Sequence, residues 1–492
     1  MNFTPVIIQG GMGVGVSNWK LARAVARLGQ LGVVSGTALD EVFARRLQNG
    51  DPGGHMRRGL DRFPFPEMAE RIWKRYFVKG GRPADKPYRT LPKHTVEGPA
   101  ERRELCIAAN FVEVALAREG HDTAVGINYL EKVQLPHLAS LYGALLAGVS
   151  HVLMGAGIPL QIPGVLDRLA AHEPAVYALQ VTGTEKSHGA SASFVPRDYM
   201  ERDLEPLGRP RFLAIIASNT LAITMLKKAN GRVDGFVIEG PTAGGHNAPP
   251  RGARQLNEAG EPVYGERDTV DLEKLRVLGT PFWLAGGYGS PEKLREALAA
   301  GAAGIQVGTA FALCEESALR EDYKQTILQC IISGKASVFT DPLASPTSFP
   351  FKTVPLEGTV ADPEVYAARK RVCDLGYLRE AYGLPDGKLG YRCAAEPEAA
   401  YLAKGGLQDR TTGRKCLCSA LLANIGLEQV RNGAYREPGL VTCGNSLPEL
   451  ARFLPNGASS YTAADVIGTL LGDAPGGGSD TPHSAGLPGN VA

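Results

Sequence analysis

Apolar runs without the alternation of a half-exposed strand recur along the first two thirds of the chain, separated by helical patterns. The runs are "PVIIQ" (5–9), "LGVVSG" (31–36), "TAVGIN" (123–128), "HVLMGAG" (151–157), "AVYALQV" (175–181), "RFLAIIAS" (211–218), "DGFVIEG" (234–240), "FWLAGG" (282–287) and "GIQVGT" (304–309). A strand that is apolar on both sides is covered on both faces, so the pattern predicts a parallel sheet of βα units. Nine candidates are one too many for an eight-stranded barrel. "AVYALQV" sits in a Gly- and Ser-containing excursion at about 172–208 and is assigned to an insertion. The expected fold is α/β: a (β/α)8 TIM barrel over residues 1–350, with insertions.

The helices between strands are signposted. "SPEKLREALAAG" (290–301) has Ser290 as N-cap, Pro291 at the first helical position and Gly301 as the stop. "RRELCIAANFVEVALARE" (102–119) carries apolar residues at helical spacing. A second insertion, about 40–101, is rich in Arg and aromatics. It reads either as a solvated cover with aromatics in its core or as the lining of a substrate mouth. After residue 350 the alternation stops. Residues 351–472 form an additional, mainly helical region with five of the eight cysteines, and 473–492, "DAPGGGSDTPHSAGLPGNVA", read as a disordered tail.

Composition narrows the function classes. The 492 residues include 53 Lys and Arg against 51 Asp and Glu, a net charge of +2, which leaves no electrostatic footprint for nucleic acid or an anionic membrane. No window approaches the ~18 consecutive apolar residues of a membrane span, and the N-terminus lacks the basic and apolar segments of a secretion signal. The expected setting is cytoplasmic, with the eight cysteines as reduced thiols or metal ligands.

The stretch "IIQGGMGVGVSN" (7–18) raises the question of a cofactor. A dinucleotide fingerprint needs G-x-G-x-x-G and an acid closing the second strand. Here Asn18 stands at the third glycine, and Ser35 and Gly36 stand where the acid belongs. Both marks fail. A stronger phosphate signal lies in "LAGGYGSPEK" and "GIQVGTAF", which put Gly286–Gly287 and Gly308–Thr309 at the ends of two successive late strands. The loops after the last two strands of a βα barrel commonly form a phosphate cup, because backbone N–H groups approach the oxygens where no Cβ intervenes. In "VIEGPTAGGHNAPPRG" (237–252), Gly244 and Gly245 lead into His246 beyond a strand's end. A neutral imidazole there suits a general base or a hydrogen bond to an anionic substrate.

"PVIIQGGM", "GIN", "EGPTAGGH", "LAGGYG" and "AGIQVGTAF" occur in the order seen in the nitronate monooxygenases, formerly 2-nitropropane dioxygenases, a family that includes flavin-dependent enoyl-ACP reductases. The chain resembles this family over roughly residues 1–350. The resemblance implies an FMN-binding barrel in which Gly10, Gly11 and Met12 border the flavin ring and Asn128 contacts it. It also implies that Gly286, Gly287, Gly308 and Thr309 hold the phosphate, that Gly244 and Gly245 adjoin the cofactor, and that His246 faces the substrate. The implied reaction is oxidation of nitronates or nitroalkanes with O2 to a carbonyl compound and nitrite. The alternatives are an NAD(P)H-dependent reductase of enoyl thioesters or quinones, and a non-catalytic, partner-bound subunit. The family motif E-A-G-G-H-x-G is altered here: Glu239 is displaced by three residues, and Ala248 replaces the last glycine.

"YRCAAEPE", "RKCLCSALL" and "LVTCGNS" gather Cys393, Cys416, Cys418 and Cys443 within about fifty residues. Four thiolates suit an iron–sulfur cluster or a structural zinc, although C-x-C replaces the usual C-x2-C and Cys373 is an alternative to Cys393. The competing reading is of small buried hydrophobes. Cys106, Cys314 and Cys330 lie on helical patterns and read as core.

Overall fold

The computed structural model of the chain describes residues 3–183, 189–253, 255–455 and 457–472, so the tail expected at 473–492 lies outside the described residues. Eight parallel strands close into a barrel: Ile7–Gln9, Leu31–Ser35, Val125–Leu130, His151–Gly155, Arg211–Ile216, Gly235–Glu239, Phe282–Ala285 and Gly304–Val307. The first strand closes the ring against the eighth, with Ile7 opposite Ile305 and Gln9 opposite Val307. The ninth candidate lies outside the barrel: Ala175–Ala178 pairs antiparallel with Ser191–Phe194.

The period of two sorts each barrel strand. Ile8, Val33, Leu153, Leu213, Val237 and Trp283 fill the barrel interior, while Ile7, Val34, Ile127, Phe212, Ile238 and Ile305 pack outward against the helices. Each such fully buried side chain contributes roughly 1.5–3 kcal/mol. The Trp283 indole N–H, inside the barrel, donates to Pro5 O at 2.8 Å. At the strands' C-terminal ends the inward positions turn polar, with Asn128, Glu239 and Gln306 each following an outward apolar residue.

The residue that breaks the dinucleotide fingerprint has a local role. Asn18 caps the helix Trp19–Arg27, its Oδ1 accepting from Lys20 N at 2.9 Å and Leu21 N at 3.0 Å. Ser290 caps the helix Pro291–Ala299 by accepting from Lys293 N at 3.2 Å, and Gly301 follows with φ +85°.

The second insertion folds as the helices Leu39–Gln48, His55–Leu60 and Pro66–Tyr76, with Phe43, Phe63, Phe65 and Tyr76 buried. None of residues 40–101 lines the cavity at the barrel mouth, so this segment is the cover and not the lining. Beneath it Asp40 is bonded by His94, at 2.8 Å, and Tyr377, and faces Arg102 at 3.0 Å. Burial alone would raise the Asp40 carboxyl; Arg102 and His94 outweigh it and hold Asp40 well below the usual range.

Beyond residue 350 the chain consists of short helices and β ribbons joined by irregular segments. Glu380–Gly383 pairs with Leu389–Arg392 on one side and with Val181–Thr182 on the other. This region does not stand apart from the barrel: Leu447, Phe453, Tyr461, Val466 and Leu470 belong to the same buried cluster as Trp19 and Val25. No helix among the described residues is long and apolar enough to cross a membrane.

Candidate cofactor and active site

One cavity opens at the C-terminal ends of the barrel strands, and it gathers residues from every motif singled out for the flavin and substrate. Gly10, Gly11 and Met12 enter it after the first strand, and Asn128 enters from the third. Gly244, Gly245 and His246 come from the turn beyond the sixth strand. Gly286, Gly287, Gly308 and Thr309 close it after the seventh and eighth.

The glycines are needed for two different reasons. Gly286 and Gly287 have φ of +82° and +79°, a region that side chains with a Cβ avoid. Gly11 instead needs space, since a Cβ there would overlap the Asn128 carboxamide. Asn128 Nδ2 donates to Gly11 O at 3.2 Å, which holds the amide against that turn.

Two buried polar atoms on the cavity wall, Asn128 Oδ1 and Gln306 Oε1, have no hydrogen-bond partner among the described residues. Buried acceptors left unpaired are costly and call for a donor from outside the protein. An isoalloxazine ring carries such a donor, so these residues fit a flavin. Gln306 was not among the residues expected from the sequence. Its signal was present as the lone polar residue in the strand "GIQV".

His246 is clamped by chain from beyond residue 340. Its Nε2 lies 2.7 Å from Ser345 Oγ, which lies 2.8 Å from Thr347 Oγ1. Phe351 meets the imidazole edge-on at 4.8 Å, and Lys352 N donates to Gly245 O at 3.0 Å. Burial pushes the imidazole down to about 4, so it is neutral at physiological pH. Glu239, at the end of the sixth strand, is the converse case: burial alone raises its carboxyl to about 8. It lines the same cavity as His246 and was noted in the sequence only as a departure from a motif.

The C-terminal region completes the wall. Thr442, Cys443, Gly444 and Ser446 line the cavity. Gly245 N donates to Thr442 Oγ1 at 2.7 Å, Gly444 N to Thr309 Oγ1 at 2.8 Å, and Asn445 N to Thr242 O at 2.9 Å. Gly244 accommodates this segment, since a Cβ there would come within 2.9 Å of the Cys443 backbone. This placement corrects the proposed ligand set. Cys443 belongs to the barrel mouth, whereas Cys393, Cys416 and Cys418 line a separate small cavity together with Cys373. The cause is packing: Val441 and Cys443 are drawn into the barrel core, away from the other thiols. Among the described residues no group of three or more His, Cys, Asp or Glu is placed to hold a single metal ion. All eight cysteines are free of disulfides, and Cys106 and Cys314 are core residues.

The nitronate monooxygenase family model matches residues 184–336. The probable nitronate monooxygenase of Bacillus subtilis (strain 168) is 34% identical over 112 residues, covering 23% of this chain and 30% of that protein. The nitronate monooxygenase of Pseudomonas aeruginosa is 32% identical over 136 residues, covering 27% of this chain and 34% of that protein. The chain thus spans about a third of the length of the curated relatives it matches. Among solved structures, the nitroalkane oxidase from Streptomyces ansochromogenes covers 96% of both chains at 14% identity, with a TM-score of 0.48. Residues 184–336, which carry the Gly-Gly-His turn and both late glycine turns, are thus similar to the nitronate monooxygenase family.

Proposed function

We propose that this chain is an FMN-dependent oxidoreductase that oxidises nitronates or nitroalkanes with O2 to a carbonyl compound and nitrite. The observation that carries the reading is the barrel-mouth cavity itself. Glycine turns suited to a phosphate and two unpartnered buried acceptors face the same space, and the late turns lie in the stretch that matches the family.

A flavin bound there supplies the electron-accepting ring. The protein's part is to bind, orient and handle protons. Asn128 and Gln306 receive the cofactor's donors, while the turns at 286–287 and 308–309 receive its phosphate. His246 Nδ1, the nitrogen not engaged by Ser345, is the candidate to take the α-proton of a neutral nitroalkane or to hydrogen-bond a nitronate. A neutral imidazole is matched to both tasks. A protonated Glu239 adds a donor to the same cavity without a repelling charge. The reading includes a cytoplasmic setting, consistent with eight cysteines free of disulfides.

The test has two parts. Heat-released supernatant from purified protein should contain FMN, and aerobic incubation with a small alkyl nitronate should yield nitrite. FAD or no flavin would defeat the cofactor reading. Rapid anaerobic bleaching of the bound flavin by NADPH, with no nitrite formed in air, would replace oxidation by the reductase reading.

A further inference from the structure

A second cavity, remote in character from the first, is lined by four thiols: Cys373, Cys393, Cys416 and Cys418. The rest of its wall is Pro346, Gly376, Ala395 and leucines, so sulfur is its only side-chain chemistry. Three different elements deliver these residues. Cys393 follows the strand Leu389–Arg392, Cys416 and Cys418 bracket the start of the helix Leu417–Ala423, and Cys373 lies in the irregular chain after the helix Pro363–Ala368. All four thiols are free of disulfides, and they share this one cavity.

The convergence of four sulfurs from three elements on one otherwise apolar cavity separates this group from scattered packing cysteines. A guanidinium stands beside the cavity: Arg379 Nε donates to the O of Gly376, a wall residue, at 3.0 Å. A cation beside grouped sulfurs offsets the charge of an anionic metal–thiolate centre.

Zinc–sulfur bonds of about 2.3 Å require four sulfurs in close convergence, and the single-ion geometry is not met among the described residues. A four-iron cluster instead sits in a cavity between its ligands, with each thiolate at a corner. We propose that Cys373, Cys393, Cys416 and Cys418 ligate a [4Fe–4S] cluster that staples the region after residue 350 to the barrel mouth. Binding a preformed [4Fe–4S]2+ unit deprotonates four thiols, releases four protons and leaves a centre of net charge 2−; no electron is transferred.

The staple acts on the first cavity through named contacts. Arg414, next to the ligand pair, donates to Ser345 O at 2.7 Å and Leu343 O at 2.8 Å, and Ser345 in turn holds His246. Leu421, on the helix that Cys418 opens, lines the barrel-mouth cavity. Tyr377, which follows the wall residue Gly376, bonds Asp40 in the cover. The assignment does not depend on which flavin, if any, occupies the barrel.

The test is iron and acid-labile sulfide content of the full chain, purified without oxygen and reconstituted with ferric iron, sulfide and dithiothreitol, whose oxidation supplies the two electrons per cluster. About four of each per chain are expected. Cys373→Ser and Cys416→Ser should lose iron several-fold, while Cys330→Ser and Cys443→Ser retain it. Should the ligand variants fail to fold, electron paramagnetic resonance of the dithionite-reduced wild-type protein decides, with a fast-relaxing S = 1/2 cluster signal expected. Iron and sulfide far below one per chain, one zinc per chain in their place, absence of the cluster signal, or full iron retention in both ligand variants would overturn the proposal.

Discussion

Gly308→Val separates a glycine kept for its ligand from one kept for its backbone. Gly308 has φ −111°, which any residue adopts, and a Cβ there would meet only Met12 Sδ at 3.6 Å and Cγ at 3.7 Å, ordinary contacts. The substitution therefore changes the stability of the flavin-free protein by less than about 1 kcal/mol. Its methyl groups enter the space read as the phosphate cup, where losing one charge-assisted hydrogen bond costs about 1.5–3 kcal/mol, a roughly tenfold to hundredfold rise in Kd. Gly287→Ala is the contrast. With φ +79°, and a new Cβ 3.3 Å from Thr242 Oγ1, it destabilises the protein even without ligand, by about 1–2 kcal/mol from backbone strain alone. The assay is titration of apoprotein with FMN and with riboflavin, followed by flavin fluorescence, beside thermal unfolding of each apoprotein. For Gly308→Val the preference for FMN over riboflavin should collapse while the melting temperature holds. If that preference is unchanged, residues 308–309 do not receive the phosphate and the argument is wrong.

His246→Ala should keep its flavin and lose turnover of neutral nitroalkanes on the order of 10²-fold; unchanged rates would remove His246 from the chemistry. Because burial lowers the imidazole to about 4 from 6.5, the acidic limb of kcat/KM should fall near pH 4, and folding stability from this group is lost as pH drops through the same window; a limb at 6.5 would refute the assignment. Glu239 has the opposite sign: raised from 4.5 to about 8, it is favourable at low pH and its contribution is lost as pH rises through that interval, by at most about 5 kcal/mol. Glu239→Gln should flatten the pH dependence of apoprotein unfolding by urea between about pH 5 and 8, and equal slopes in the two proteins would discount the raised carboxyl.

The barrel was legible because a parallel strand covered on both faces must be apolar throughout, and that leaves unbroken runs in the chain. All eight barrel strands lie within or overlap those runs, and the glycine turns at their ends were visible for the same local reason: φ above zero and close approach restrict the residue type on the spot. The local sequence also explains Asn18, an N-cap standing where a dinucleotide fold would need glycine. The partners of these local features were not legible. Ser345 meets His246 across 99 positions, and Gly444 meets Thr309 across 135. Nothing in the periodicity of either segment specifies the other, because both lie in irregular chain whose course is set by packing on the barrel. The cysteines show the same limit. Spacing along the chain favoured Cys443 as the fourth thiol, but burial of Val441 and Cys443 in the barrel core carries it to the cofactor wall, and Cys373 takes its place beside the other three. Apolar burial, which is non-directional and indifferent to sequence distance, decided which sulfurs share a cavity.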